Sequence, residues 1–181
     1  MTATTTLLLE KWSATLETRD GLRLFVRPVA DDDDVRLEAF FESLAPEDLR
    51  YRFLSPVAHP SRSLLDALLH VSHVDTEDFL AFVDVDGEKK LVASAMLAAD
   101  PGLARAEVAI AILPEFKGHG LGWTLLAFVG REAAARGIGR LESIECRDNE
   151  AAIGLEREMG FTATPYPGDA TLTLLSKSLA A

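Results

Sequence analysis

Only one cysteine, Cys146, occurs in 181 residues, so no disulfide can form within the chain and the fold must rest on its core. That usage fits a reducing, cytoplasmic setting. No apolar run approaches the roughly 20 residues that cross a bilayer, which argues against a membrane protein. The start, Met1 to Leu9, has no basic residue ahead of its short Leu7-Leu8-Leu9 stretch. A secretory signal has a basic start and a longer apolar core, so residues 1–20 read as an N-terminal tail or strand. Basic residues are also scarce, 18 Lys and Arg against 29 Asp and Glu, for a net charge of −11. No basic stripe stands out to overcome repulsion from phosphates, which excludes nucleic acid as a partner. An acidic surface keeps a protein dispersed in water and also suits cationic partners such as amines or lysine-rich patches. There is no internal repeat and no long linker.

What is present is a globular balance, 48% hydrophobic and 26% charged, enough for one domain with its own core. Strand and helix patterns alternate in a mixed α/β order. Leu22, Leu24 and Val26 alternate with Arg23 and Arg27, predicting a strand over 22–29. The run Asp31 to Asp34 then opens a helix, where carboxylates favour the first-turn N–H groups. Leu37, Phe40, Phe41 and Leu44 follow at helical spacing. Pro46 suits the first position of a second helix, and Ser61 or Ser63 the cap of a third. The pair Asp86-Gly87 between apolar runs at 79–85 and 91–98 predicts an antiparallel hairpin. The segment 106–113 is apolar except for Glu107 and reads as a central, buried strand. Leu141 to Cys146 reads as a strand parallel to it through a right-handed crossover. Asn149 caps a short helix that stops at Gly160, and 171–179 is a closing strand.

The most informative segment is Lys117-Gly118-His119-Gly120-Leu121-Gly122, set between a strand and a helix. Glycines allow a tight turn with several exposed N–H groups, and a helix N-terminus adds positive potential, which together suit a diphosphate. The order G-x-G-x-G is not the dinucleotide fingerprint, and Lys117 precedes the glycines, so a P-loop fails too. Residues alone leave two readings open, an anion site or a plain connection.

Two motifs carry a resemblance. Lys117-x-x-Gly120-x-Gly122 is similar to motif A of the GNAT superfamily, Q/R-x-x-G-x-G/A, with Lys for the usual Gln or Arg. Asn149-Glu-Ala-Ala-Ile-Gly-Leu155-Glu-Arg-Glu-Met-Gly160-Phe161 resembles its motif B. The resemblance implies a mixed, mostly antiparallel sheet flanked by helices. It would be splayed between the fourth and fifth core strands, in a single N-acetyltransferase domain over 1–181. Residues 22–78 would supply a strand and helical lid, and 79–181 the cofactor-binding core. Acetyl-CoA would be the cosubstrate, with no metal. Its diphosphate would meet Gly118, His119, Gly120, Leu121 and Gly122, with Lys117 beside them. Its pantetheine arm would run along Ala111 and Ile112, and Asn149 would touch that arm. The acceptor would be a primary amine on a small molecule or a protein lysine. Dimers are common in the family, so a homodimer is one arrangement the resemblance allows.

Direct attack by an amine needs a proton acceptor. Glu107, the one charge in an apolar strand, is the first candidate and Glu145 the second. The bland alternative for Glu107 is a strand-end position in solvent or in a salt bridge, for example with Arg105. Many relatives place a Tyr seven residues after the motif B Asn, where it protonates the leaving thiolate. This chain has Glu156 there, and an ordinary ionised carboxylate is a poor donor. Cys146 as an acyl carrier competes with the commoner reading of a buried strand cysteine as core. The N-terminal segment Phe40-Phe-Glu-Ser-Leu-Ala-Pro-Glu-Asp-Leu-Arg-Tyr-Arg-Phe53 is similar to bacterial protein-lysine acetyltransferases of the Pat type. A non-catalytic acyl-CoA sensor would keep the glycine turn without needing a base.

Overall fold

The computed structural model describes residues 12–179; the first eleven residues of the expected tail or strand at 1–20 lie outside them. Eight strands form one sheet in the order β1-β2-β3-β4-β5-β6-β8-β7. They are β1 (Ala14–Glu17), β2 (Arg23–Pro28), β3 (Thr76–Val85), β4 (Glu88–Ala99), β5 (Ala106–Ile112), β6 (Arg140–Cys146), β7 (Thr162–Pro165) and β8 (Leu172–Ser178). Every neighbouring pair is antiparallel except β5 and β6. The hairpin β3–β4 turns at Asp86 and Gly87, both at positive φ, the geometry that matches strand twist in a two-residue turn. The short strand β7 was not anticipated. Its four residues, Thr-Ala-Thr-Pro, are too few to show a period, and the proline is tolerated because β7 is an edge.

Helices cover both faces. On one lie α1 (Asp34–Glu42), α2 (Pro46–Phe53) and α3 (Arg62–Leu69). Leu37, Phe40, Phe41, Leu49, Leu65 and Leu68 from these helices bury against Leu80, Phe82 and Leu91 of the sheet. Local chemistry sets their starts. A 3-10 turn over Asp31–Asp33 leads into α1, Pro46 begins α2, and Ser61 Oγ accepts the Leu64 N–H of α3 at 3.2 Å. On the other face α4 (Leu121–Ala135) buries Leu125, Phe128 and Val129 against Phe79, Ala95 and Leu97. The short helix α5 (Glu150–Glu158) packs beside it, contributing Ile153 and Leu155. Among the described residues, no helix is long and apolar enough to cross a membrane.

The entry to α1 rests on one buried carboxylate. Asp33 has no exposed surface and takes both guanidinium nitrogens of Arg27, at 2.6 and 2.7 Å, and the Ala30 N–H at 2.9 Å. Burial pushes its pKa up, but these hydrogen bonds and the charges of Arg27 and Arg36 outweigh it and the net shift is downward. A lowered folded pKa stabilises the fold above the unfolded value, near 3.9, and that stability is lost as pH falls through the folded pKa. Removing one partner of such a pair strands the other. Asp33→Asn is therefore expected to cost about 3 kcal/mol in urea unfolding at pH 7, with the gap to wild type closing below pH 4.

Candidate active site

The strands β5 and β6 stay together for only two residue pairs, Ala106↔Leu141 and Glu107↔Glu142, and then part. Between them opens a cavity of about 580 Å³. The segment 106–113, expected to be central and buried, is buried at Ala106, Val108, Ala111 and Leu113 but only half-buried at Ala109, Ile110 and Ile112, and Glu107 is exposed. The reason is the missing neighbour. Beyond Glu107 the β6 side of β5 has no partner strand, so its backbone N–H and C=O groups face the cavity as a free sheet edge.

The open end of the cavity is floored by the glycine turn. Gly118 and Gly120 both take positive φ, 81° and 77°, and Gly120 is the N-cap of α4 with no side-chain cap. The first hydrogen bond of the helix is Thr124 N–H to Gly120 C=O at 3.0 Å. The N–H groups before it are left to point outward at the positive end of the dipole, an arrangement that receives an anion. Gly122 serves by its lack of a side chain. A Cβ there would lie 3.1 Å from Leu155 Cδ1 of α5 and 3.7 Å from Ile112 Cδ1.

The cavity brings together Glu107, Ala111, Ile112, Lys117, Gly118, Gly120, Leu121, Gly122, Glu145 and Asn149. The side chain of His119 stands apart, its Nδ1 3.9 Å from Asp20 on the outer surface. Lys117 is engaged by Asp48 of α2 in a close ion pair. Asn149 caps α5 through its Oδ1 to the Ala152 N–H, and its Nδ2 donates to Glu145 Oε2 at 2.7 Å.

The two candidate bases sit on opposite faces of the sheet. On β5, Glu107 shares a face with Ala111, which packs into the α1–α3 core. On β6, Glu145 and Ser143 turn toward α5, where their partners are Asn149 and Glu156. Glu107 opens on the cavity, but the walls strip part of its hydration and raise its pKa; the Arg52 charge draws it back down and Glu142 adds a smaller push. Arg105 pairs with Asp100 and Glu142 at 3.8 and 3.6 Å rather than with Glu107. Glu145 is raised to about 8, by burial first and then by the charge of Glu156, against the Asn149 hydrogen bond. Glu156 is only 6% exposed and is raised to about 7 by burial, with the Ser143 hydrogen bond opposing. The expectation of an ordinary ionised carboxylate at Glu156 therefore does not hold. Its helix turns it inward onto Ser143, where the charged form is disfavoured. Cys146 is buried, and burial holds its thiol above the usual value, as befits a core residue.

Helix α2 brings in residues of the Phe40–Phe53 segment to which the sequence gave no role in the site. Arg52 lines the cavity and is 9% exposed. Its Nη2 donates to Met96 Sδ at 3.6 Å and its Nε has no partner. Beside it Asp78 is fully buried, accepts from Ser94 Oγ at 2.8 Å, and is raised to about 6 by burial, with Arg52 opposing. The signal for Arg52 was present in the sequence, since it falls on the apolar stripe of Leu49 and Phe53. Across the mouth, Arg50 reaches Asp148 at 2.6 Å, and the Tyr51 hydroxyl donates to Glu47 at 3.0 Å. Burial, then that bond, pushes the Tyr51 phenol up to about 12.

Comparison with known proteins follows the same lines. The model of the acetyltransferase (GNAT) family matches residues 37–161. Acetyltransferase PA5475 of Pseudomonas aeruginosa is 28% identical over 162 residues, 90% of this chain and 86% of that protein. The GNAT domain of S. lividans PAT superposes with a TM-score of 0.83 at 26% identity, covering 93% of this chain and 98% of that one. Spermidine N-acetyltransferase from Vibrio cholerae, solved with CoA and spermine, superposes with a TM-score of 0.69 at 18% identity, covering 86% and 95%. At that identity the likeness speaks for the fold alone. The family match spans most of the chain and agrees with the parted strands above an uncapped glycine turn: the protein belongs to the GNAT family of acetyltransferases, enzymes that use acyl-CoA.

Proposed function

We propose that the protein, folded as a single domain, transfers an acetyl group from acetyl-CoA to a primary amine by direct attack, with Glu107 as the base. The observation that carries this reading is the parting of β5 from β6 immediately beyond Glu107. It leaves a free strand edge that leads from that carboxylate to the glycine turn. From Ile112 back to Glu107 is roughly 17 Å of strand at about 3.3 Å per residue.

In this reading the N–H groups of Gly118 to Gly122 hold the diphosphate, with the positive end of α4 behind them. The free backbone of Ala111 and Ile112 pairs with the pantetheine arm, and Asn149 lies across from it. Lys117 contributes through Asp48, tying the turn to α2. The thioester then comes to the closed end of the cavity, beside Glu107. The amine must arrive neutral, and Glu107 takes its proton as the new C–N bond forms. Arg52 draws the Glu107 pKa downward against burial, keeping the carboxylate available as a base. Glu145 suits that role less well, because at about 8 it is already protonated at neutral pH.

A lysine side chain on a protein is the acceptor we favour. The similarity to the S. lividans PAT domain supports it, at 26% identity along nearly the whole chain. The acidic lining at Glu47, Asp48, Asp148 and Glu150 is compatible with a cationic acceptor.

Two outcomes test the proposal. Calorimetry should detect acetyl-CoA binding, and Gly122→Val should weaken it at least about tenfold, or ~1.4 kcal/mol. No binding by wild type at millimolar acetyl-CoA would remove the role given to the turn. With acetyl-CoA and a lysine peptide, Glu107→Gln should lower kcat by about 10² to 10⁴ while leaving acetyl-CoA affinity within about twofold. Unchanged turnover in that variant would overturn the assignment of the base.

A further inference from the structure

Arg52 is a buried cation with donors to spare. It is 9% exposed. Its Nη2 meets the thioether of Met96, a weak acceptor, at 3.6 Å, and its Nε has no protein partner. The charges of Asp78 and Glu107 act on it from nearby. Asp78 spends one oxygen on Ser94 and leaves the other without a protein partner. A guanidinium is a planar fork of N–H groups suited to oxygen acceptors, and leaving such donors unmade in a buried place is costly.

The place of Arg52 along the cavity indicates which oxygen it meets. Met96 is paired across the sheet with Ala109. Ala109 stands between Glu107 and Ala111 on one face of β5, the face that carries α1–α3. The guanidinium therefore lies over the strand position next to Glu107 on the side of the glycine turn, about 7 Å along a strand that rises about 3.3 Å per residue. Arg52 and Ala109 both line the cavity. An arm paired with the free edge at Ala111 and Ile112 carries its thioester past Ala109 on the way to Glu107.

We propose that Arg52 contacts the acyl oxygen and stabilises the negative charge that gathers there as the amine attacks. This rests on the acyl-transfer reading and deepens it. The nitrogen lone pair bonds to the acyl carbon, the π pair of the carbonyl moves onto oxygen, and Glu107 takes the proton lost by nitrogen. The oxygen pair then re-forms the carbonyl, and the carbon–sulfur bond breaks with its pair on sulfur. The thiolate takes a proton from solvent and Glu107 gives one back, so the balance is amine plus thioester to amide plus thiol.

The charge balance around Arg52 supports this role. Before attack, the negative charge opposite Arg52 is on Glu107. After attack, Glu107 is neutral and the acyl oxygen carries the charge. One negative charge passes between two positions facing the same fixed cation, so little has to reorganise as it develops. The remaining charge near Arg52, Asp78 on β3, takes no part in the transfer.

Two readouts test the contact on the full chain, with wild type, Arg52→Met and Arg52→Lys each checked for acetyl-CoA binding. The first is kcat with acetyl-CoA and a saturating lysine peptide, followed from acid to alkaline pH. Arg52→Met should bind acetyl-CoA within about twofold of wild type, lose about 10² to 10³ in kcat, and keep that loss on the alkaline plateau. A role confined to the charge of Glu107 would only move the acid limb to higher pH, so a loss that disappears on the plateau would overturn the contact. The second readout needs no turnover. S-carboxymethyl-CoA places a carboxylate near the acyl position, and S-acetonyl-CoA a neutral ketone. Affinity for the first relative to the second should fall at least about tenfold in Arg52→Met, and an unchanged ratio would overturn the contact. If Arg52→Met fails to fold, Arg52→Lys decides, because it keeps the charge and loses the fork. Its kcat should fall about tenfold or more, and wild-type kcat in it would overturn the contact. Wild type that binds acetyl-CoA but transfers nothing would overturn the transfer reading, and the role of Arg52 with it.

Discussion

The separation of two parallel strands after only two residue pairs governs the rest of this molecule. A sheet that closed normally here would satisfy its backbone and bury β5, leaving no room for a ligand. Instead β6 leans away and finds its partner in β8, with which it is paired along its whole length from Arg140↔Ser178 to Cys146↔Leu172. The cost of the unpaired edge is thus confined to one side of β5. Gly122 lets α4 and α5 approach closely beside Ile112, so the two walls stay near each other although their strands have parted.

That opening also sets the electrostatics. Carboxyls that would be ordinary on a surface are drawn between packed elements and lose hydration. Glu145, Glu156 and Glu107 all shift upward for that reason first. They differ in their surroundings. Arg52 tempers Glu107, a serine and an asparagine give hydrogen-bonding relief to the other two, and these two are neighbours of like charge. One cavity therefore holds carboxyls raised by the same burial but set in different surroundings, one beside a guanidinium and, across the gap, two beside each other.

Helix α2 acts as a tie across this opening. Asp48 holds Lys117 on the β5 side, and Arg50 holds Asp148 on the β6 side. Exposed ion pairs contribute little each to stability, so their interest is positional. They keep Arg52, on the inner face of the same helix, at the cavity wall. The buried Arg52 and Asp78 each keep an atom without a protein partner, an unfavourable arrangement in a core that is concentrated next to the proposed base.

What the sequence determined by itself was whatever depends on neighbours a few residues apart. Asp86-Gly87 made the hairpin, Pro46, Ser61 and Asn149 began their helices, and the glycines after Lys117 turned a strand into α4, because turns and caps are local chemistry. The resemblance of the two motifs to the GNAT superfamily was enough to anticipate the parted strands and the residues around the turn. Tertiary structure alone decided the face each glutamate shows, that Lys117 is taken by Asp48, that His119 points away, and that Arg52 enters the cavity wall. Above all it decided the surroundings of Glu156, which push its pKa upward. A carboxyl is ordinary or perturbed according to the water and charge around it, and for Glu156 those are supplied by Ser143, thirteen positions earlier in the chain, and by the depth of a cavity that exists only once the sheet has formed.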